Sequence, residues 1–139
     1  MPQPRALICD LDMTLIDSRM DIATGVAHAI QKTANLPVSE KQVFPWIGKS
    51  LRSMFVHLLD GRPESLLEEA IDEYKRYFFD HCDVHTKIFP GVRATLLALR
   101  SKGIKTAVAS AKMTFMAVRV CEKLGLAEAL DHIQGTDGF

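Results

Sequence analysis

The spacing of apolar and polar positions divides the chain into strand-like ends around a long helical middle. Leu7, Ile8 and Cys9 form a short continuous apolar run that stops at two acids separated by one leucine, Asp10-Leu11-Asp12. Such a run predicts a strand buried on both faces of a parallel sheet. From Asp17 or Ser18 the period becomes helical. Ile22, Val26 and Ile30 recur four apart, predicting a helix to about Ala34 that Asn35 and Pro37 end. Ser39-Glu40-Lys41-Gln42 has the spacing of a capping box and predicts a short helix leading to Phe44-Pro45-Trp46. Helical spacing resumes at Leu51, Met54, Phe55, Leu58 and Leu59, and Asp60-Gly61-Arg62-Pro63 predicts a turn. In the next helix Leu66, Leu67, Ala70, Ile71, Tyr74 and Phe78 make the apolar stripe. Glu68, Glu69, Asp72, Glu73, Lys75 and Arg76 occupy its other face.

Beyond this helical block, Ile88-Phe89-Pro90-Gly91-Val92 followed by Leu96, Leu97 and Leu99 reads as a turn opening an amphipathic helix, which Gly103 closes. Ile104 to Ala109 predicts a second core strand that ends at Ser110. Met113, Met116, Ala117, Val120, Cys121 and Leu124 form the stripe of the following helix, His132-Ile133-Gln134 predicts a third short strand, and the chain from Gly135 onward reads as a loop. The alternation of strand and helix, interrupted by helices alone, predicts an α/β fold: a partial Rossmann-like parallel sheet formed by residues 1–17 and 84–139, with an inserted helical cap over residues 18–83. A helical block placed there would cover the cleft mouth as a lid.

The 139 residues are 47% apolar and 24% charged, the balance of an ordinary globular chain with a real core. Formal net charge is zero, so no basic field points to nucleic acid or to an anionic membrane surface. No apolar run reaches spanning length and the amino end has no leader pattern, which makes a cytoplasmic location the expectation. Cys9, Cys82 and Cys121 are odd in number with no paired spacing, as expected of reduced thiols. Cys9 should point into the core beside the acids and carries no chemistry.

The candidate chemistry lies at the strand ends. Ligand sites of open α/β sheets lie beyond the carboxyl ends of the strands, which puts Asp10 and Asp12 at a cleft mouth with Leu11 turned the other way. An isolated acid pair of this spacing is usually a solvated turn. After an apolar strand and before Thr14, two such close carboxylates suggest either a magnesium site or a pair with divided nucleophile and acid roles. Ser110-Ala111-Lys112 supplies a hydroxyl and backbone N–H groups at a strand-to-helix junction, a ready phosphate cradle, although a serine there is often only a helix cap. Gly48, Lys49 and Arg52 are candidate cap contacts for the remote part of an anionic substrate; the plainer reading is a glycine turn with two solvated cations. Asp80-His81-Cys82-Asp83-Val84-His85 holds metal-ligand residue types without a zinc spacing.

The stretch DLDMTLIDS resembles the first signature of the haloacid dehalogenase-like (HAD) phosphohydrolase superfamily, in its phosphoglycolate phosphatase-like branch. The Pro90-Gly91-Val92 element and Ser110 at the end of the second strand follow in that family's order. The resemblance implies a HAD-like core with a helical cap and hydrolysis of a small phosphorylated metabolite through an aspartyl-phosphate. It implies that Asp10 is the nucleophile, that Asp12 is the general acid and base, and that Mg2+ is held by the Asp10 carboxylate and the Asp12 backbone carbonyl. Ser110 and the Ala111 amide would bind phosphate, with Lys112 in support. Met13 stands where the branch usually has glycine. The family's third signature, a lysine, and its fourth, an acidic pair, do not occur within these residues. Weak magnesium binding, a reduced stand-alone activity and an open edge on the first strand that invites self-association are therefore expected. The alternatives are a non-catalytic truncated phosphate-binding fragment that needs a partner, and a sugar phosphomutase of the same superfamily.

Overall fold

The computed structural model describes residues 4–137. In chain order its strands and helices are β1 (Ala6–Cys9), β2 (Ile16–Asp17), α1 (Arg19–Ala34), α2 (Glu40–Val43), α3 (Leu51–Leu58), α4 (Glu64–His81), β3 (Lys87–Ile88), α5 (Val92–Ser101), β4 (Lys105–Ala109), α6 (Thr114–Lys123) and β5 (His132–Gln134), with 3-10 turns at Phe44–Trp46 and Ala127–Ala129. They form two compact units: residues up to Asp17 together with those from Lys87 onward, and Ser18–Thr86. The loop read from Gly135 onward is described as far as Asp137; Gly138 and Phe139 lie outside the described residues. No helix among the described residues is long and apolar enough to cross a membrane.

The first unit is built on a parallel sheet of order β1-β4-β5. Its register pairs Cys9 with Val108 and Val108 with Ile133, so the strands end side by side at their carboxyl ends. Paired residues share a face of the sheet. One face carries Leu7, Cys9, Thr106, Val108 and Ile133 and turns toward the helices, where Thr106, Val108, Leu96 of α5 and Met116, Ala117 and Val120 of α6 are buried, while Leu7 on the edge strand is still 36% exposed. The other carries Ala6, Ile8, Lys105, Ala109, His132 and Gln134, all exposed. This corrects the expectation that β1 is buried on both faces. Ile8 is 68% exposed, because no helix among the described residues covers that face, and β1 is also an edge of the sheet.

Two features of this unit were not legible as periodicity. Ile16 and Asp17 pair antiparallel with Ile88 and Lys87, a ribbon too short to show a pattern. Between β1 and this ribbon the chain turns tightly: the Leu11 carbonyl accepts the N–H groups of Thr14, Leu15 and Ile16 at 3.2, 2.9 and 3.2 Å, and Met13 donates to the Ile16 carbonyl at 2.8 Å. The turn requires a left-handed residue, and Met13 adopts φ 62° there. A side chain in that conformation costs about 1 kcal/mol that glycine does not pay.

The second unit is a helical bundle centred on α1 and α4. Ser18 stands at the amino end of α1, and Asn35 closes it in the left-handed conformation at φ 51°. Gly25 allows α4 to approach closely: a Cβ there would meet the Tyr74 ring at 2.9 Å. Tyr74 in turn packs edge-on to Phe55, with centroids 5.9 Å apart. The capping box at Ser39 forms as its spacing predicts, with the Ser39 N–H donating to Gln42 Oε1 at 2.9 Å.

Two carboxylates are buried in this unit. Periodicity puts Glu73 on the polar face of α4, yet its side chain is 7% exposed and lies 2.7 Å from Lys32 Nζ, 2.9 Å from Arg76 and 3.3 Å from His28. The long cations from α1 and α4 reach over it and keep their own ends in water. The Lys32 bond above all, with those of Arg76 and His28, lowers the Glu73 carboxyl from about 4.5 to about 2 against the opposing effect of burial. Asp21, in the first turn of α1, accepts the backbone N–H groups of His85 and Thr86, the Thr86 hydroxyl at 2.7 Å and a bond with His85 Nδ1. It thereby ties together the segments at which the chain enters and leaves this unit. Burial pushes the Asp21 carboxyl up, but the Thr86 and His85 bonds outweigh it and hold it below the usual range.

Two outcomes follow from these local conflicts and pairs. Met13→Gly is expected to raise the stability of the chain by up to about 1 kcal/mol in urea unfolding, since relieved strain outweighs the entropy of glycine; a loss of stability would contradict the strained-turn account. Because folding lowers the Glu73 carboxyl, its contribution is whole above about pH 4.5 and is lost as the pH falls toward about 2, and the lowered Asp21 carboxyl acts in the same direction. Thermal midpoints measured across that window should fall steeply for the wild type and less steeply for Glu73→Gln.

Candidate active site

Parallel strands that end in register bring their following loops together, and this is how the site is assembled. Asp10 follows the last residue of β1, and Ser110 follows the last residue of the adjacent β4. Asp10 is exposed, and its Oδ1 accepts the Leu11 N–H at 2.7 Å, which orients the carboxylate on its own backbone. Leu11 is fully buried and anchors the loop between the acids. Leu11 turns inward between the two acids, and Asp10 lies exposed beside it.

The loops meet through charge. The Lys112 ammonium stands 3.4 Å from Asp12 Oδ2, with side chains only 6% and 11% exposed. An ion pair so withdrawn from water is weakly screened, and removing either partner leaves the other charge poorly solvated. Lys112 is thus placed at the acid loop and not merely near the phosphate cradle. Ser110 donates its N–H to the Gln134 carbonyl at 2.9 Å, and its Oγ accepts the Lys112 N–H at 3.1 Å. This tight turn curls the Ser110-Ala111-Lys112 backbone around the serine hydroxyl, the local form of a small-anion nest.

Other titratable groups close by have structural work. Burial first, and then the charge of Asp12, push the Cys121 thiol up to about 12, against the opposing pull of Lys112. Cys121 is therefore a protonated core residue and no nucleophile. No disulfide joins Cys9, Cys82 and Cys121, in keeping with the expected thiols. The Asp131 carboxyl is lowered mainly by the Thr106 N–H bond, and Asp137 by Thr114. Both acids thus serve β4 and α6. Among the described residues no group of three or more His, Cys, Asp and Glu side chains gathers to hold a metal ion. Of the two histidines in the Asp80–His85 stretch, His85 bonds Asp21 and His81 bonds the Tyr77 carbonyl.

The cap candidates lie in the other compact unit. Gly48 has φ 96° in a turn, Lys49 is exposed, and the Arg52 guanidinium donates to Glu64 and Glu68. What sequence reasoning missed is the segment Gly135-Thr136-Asp137, which bonds to the loop carrying Ser110. Its partners are more than twenty residues away in the chain, so no local pattern could have marked it.

Residues 7–139 match the sequence profile of the Haloacid dehalogenase-like hydrolase family. The chain is 31% identical over 135 residues to a phosphoglycolate phosphatase of Aquifex aeolicus, covering 97% of this chain and 62% of that protein. It is likewise 31% identical over 140 residues to a phosphoglycolate phosphatase of Neisseria meningitidis, covering 97% of this chain and 60% of that one. The chain therefore spans about three fifths of the length of these relatives. Its fold is also that of a crystal structure described as a predicted phosphoglycolate phosphatase from Haemophilus somnus, with TM-score 0.90, 24% identity, and coverage of 100% of this chain and 65% of the other. The α/β parallel-sheet fold expected from the sequence is thus the one found. A profile match that begins in β1 and takes in both site loops leaves one conclusion: the chain belongs to the haloacid dehalogenase-like hydrolase family.

Proposed function

We propose that this chain carries the nucleophile and phosphate-binding part of a phosphomonoester hydrolase acting on a small phosphorylated metabolite of the phosphoglycolate type, in the cytoplasm. The observation that carries the reading is the meeting of the acid loop with the Ser110 loop through Lys112 and Asp12 at adjacent strand ends. The names of the relatives support the substrate class.

In the proposed reaction the phosphate sits against the Ser110 hydroxyl and the backbone N–H groups that follow it. An Asp10 oxygen attacks phosphorus while the bond to the ester oxygen breaks; Asp12, a carboxylate in its pair with Lys112, first takes up the proton of the phosphate monoester monoanion and then delivers it to that leaving oxygen. Phosphorus is then held on Asp10 as an acyl-phosphate. Asp12, now a carboxylate beside the Lys112 ammonium, takes a proton from a water whose oxygen attacks phosphorus. The bond to Asp10 breaks, inorganic phosphate leaves and the carboxylate is restored. The ion pair with Lys112 stabilises the charge on Asp12 between the two transfers.

The donor chemistry fits Mg2+. Asp10 offers an exposed carboxylate and Asp12 a backbone carbonyl, both hard oxygen donors, and magnesium keeps several waters and takes further ligands from phosphate. When bound, it neutralises charge on the phosphoryl oxygens. The Asp12 side chain, engaged with Lys112, is left for proton transfer.

Release of phosphate from p-nitrophenyl phosphate with magnesium tests the reading. Asp10→Asn is expected to remove turnover to background, and Lys112→Met to lower kcat about a hundredfold. Turnover that survives Asp10→Asn would contradict the assignment; phosphate binding without any turnover would favour the non-catalytic phosphate-binding alternative.

A further inference from the structure

The segment after β5 bonds back to the loop that follows Ser110. The Thr136 N–H donates to the Lys112 carbonyl at 3.0 Å, and the Thr136 hydroxyl donates to the Ala111 carbonyl, also at 3.0 Å. A single residue thus draws two successive carbonyl oxygens of the cradle to one side. In a trans peptide the C=O and N–H point in opposite directions, so this turns the N–H groups of Lys112 and Met113 away from Thr136. The Lys112 N–H indeed points to Ser110 Oγ at 3.1 Å. The Ala111 and Lys112 carbonyl oxygens, which would repel an anion, are drawn toward Thr136, and the Lys112 donor is turned to the serine hydroxyl.

Such a close approach of two backbones has a steric condition. A Cβ at position 135 would lie 2.1 Å from the Lys112 carbonyl oxygen, 2.4 Å from the Thr114 nitrogen and 2.7 Å from the Met113 carbonyl carbon. All three are backbone atoms that cannot swing aside, so glycine is required for Thr136 to reach its partners. Asp137 serves a separate purpose: its Oδ1 accepts the Thr114 N–H at 2.9 Å at the start of α6 and touches no carbonyl of the cradle.

We propose that Thr136, seated by Gly135, is a positioning residue of the phosphate cradle, orienting its backbone donors by holding the Ala111 and Lys112 carbonyls. The inference rests on the phosphate-site reading of Ser110-Ala111-Lys112 and adds the group that fixes its geometry. Thr136→Val keeps the shape and the backbone N–H and removes only the hydroxyl bond; Thr136→Ser keeps that bond.

The test is the affinity of the full 139-residue chain for inorganic phosphate in the presence of magnesium, read from amide shifts of Lys112 and Met113 in NMR titrations, with thermal midpoints measured alongside. Thr136→Val is expected to bind about tenfold more weakly and to shift the free Lys112 amide, whereas Thr136→Ser binds within about twofold of wild type. Asp137→Ala, which loosens α6 without freeing a cradle carbonyl, should lower the thermal midpoint yet keep phosphate affinity within about twofold. Unchanged affinity in Thr136→Val would overturn the inference, as would an equal loss in Asp137→Ala, which would show that destabilisation alone explains the effect. Ser110→Ala separates the two levels of the argument. Failure of the wild type to bind phosphate, or equal binding by Ser110→Ala, overturns the phosphate-site reading itself and the inference with it.

Discussion

Two parallel strands that end in register must send their loops to the same place, and the rest of the site depends on what those loops do with their charges. Here Lys112 from one loop lies against Asp12 from the other with almost no exposure of either side chain. A buried ion pair is costly to assemble and seldom repays its desolvation as stability, but it fixes geometry, because each charge has few other places to go. The pair therefore joins the loops in one arrangement. Asp10, one residue past β1, is exposed and is the carboxylate proposed as nucleophile.

The same economy separates structural from reactive acids. Asp21, Glu73, Asp131 and Asp137 each sit among donors that lower their carboxyls, and each closes a specific junction: the ends of the helical unit, the α1–α4 packing, the start of β4 and the start of α6. Backbone constraint is distributed in a similar way. Met13 carries left-handed strain in the acid loop, and Gly135 allows two backbones to touch at the loop that follows Ser110. Strain and close contact thus gather around the candidate site, where geometry has to be held against local preference.

The sequence disclosed most clearly what is local. The left-handed close at Asn35 and the capping box at Ser39 lie within a few residues of their partners and formed as spacing predicts, whereas Ser18 stands at the start of α1 without a side-chain cap bond. The acid pair was legible because a strand run stops abruptly at it. Burial was less so. Leu7-Ile8-Cys9 looked like a strand covered on both faces, yet cover comes from other elements, and only one face of β1 has it. Glu73 belonged by periodicity to the polar face, and cations reaching over from α1 enclosed it. The Thr136 and Asp21 bonds join residues far apart in sequence, so neither could be read from a window of the chain.

The account stands on Asp10 as the atom that receives phosphorus. Its most direct measurement is acid quenching of the chain during incubation with magnesium and p-nitrophenyl phosphate, followed by mass-spectrometric mapping of the peptides. A phosphoryl group on the peptide containing Asp10, absent when the ester is omitted, is the result the account predicts. Turnover with no label at Asp10, or with the label on another residue, would contradict it.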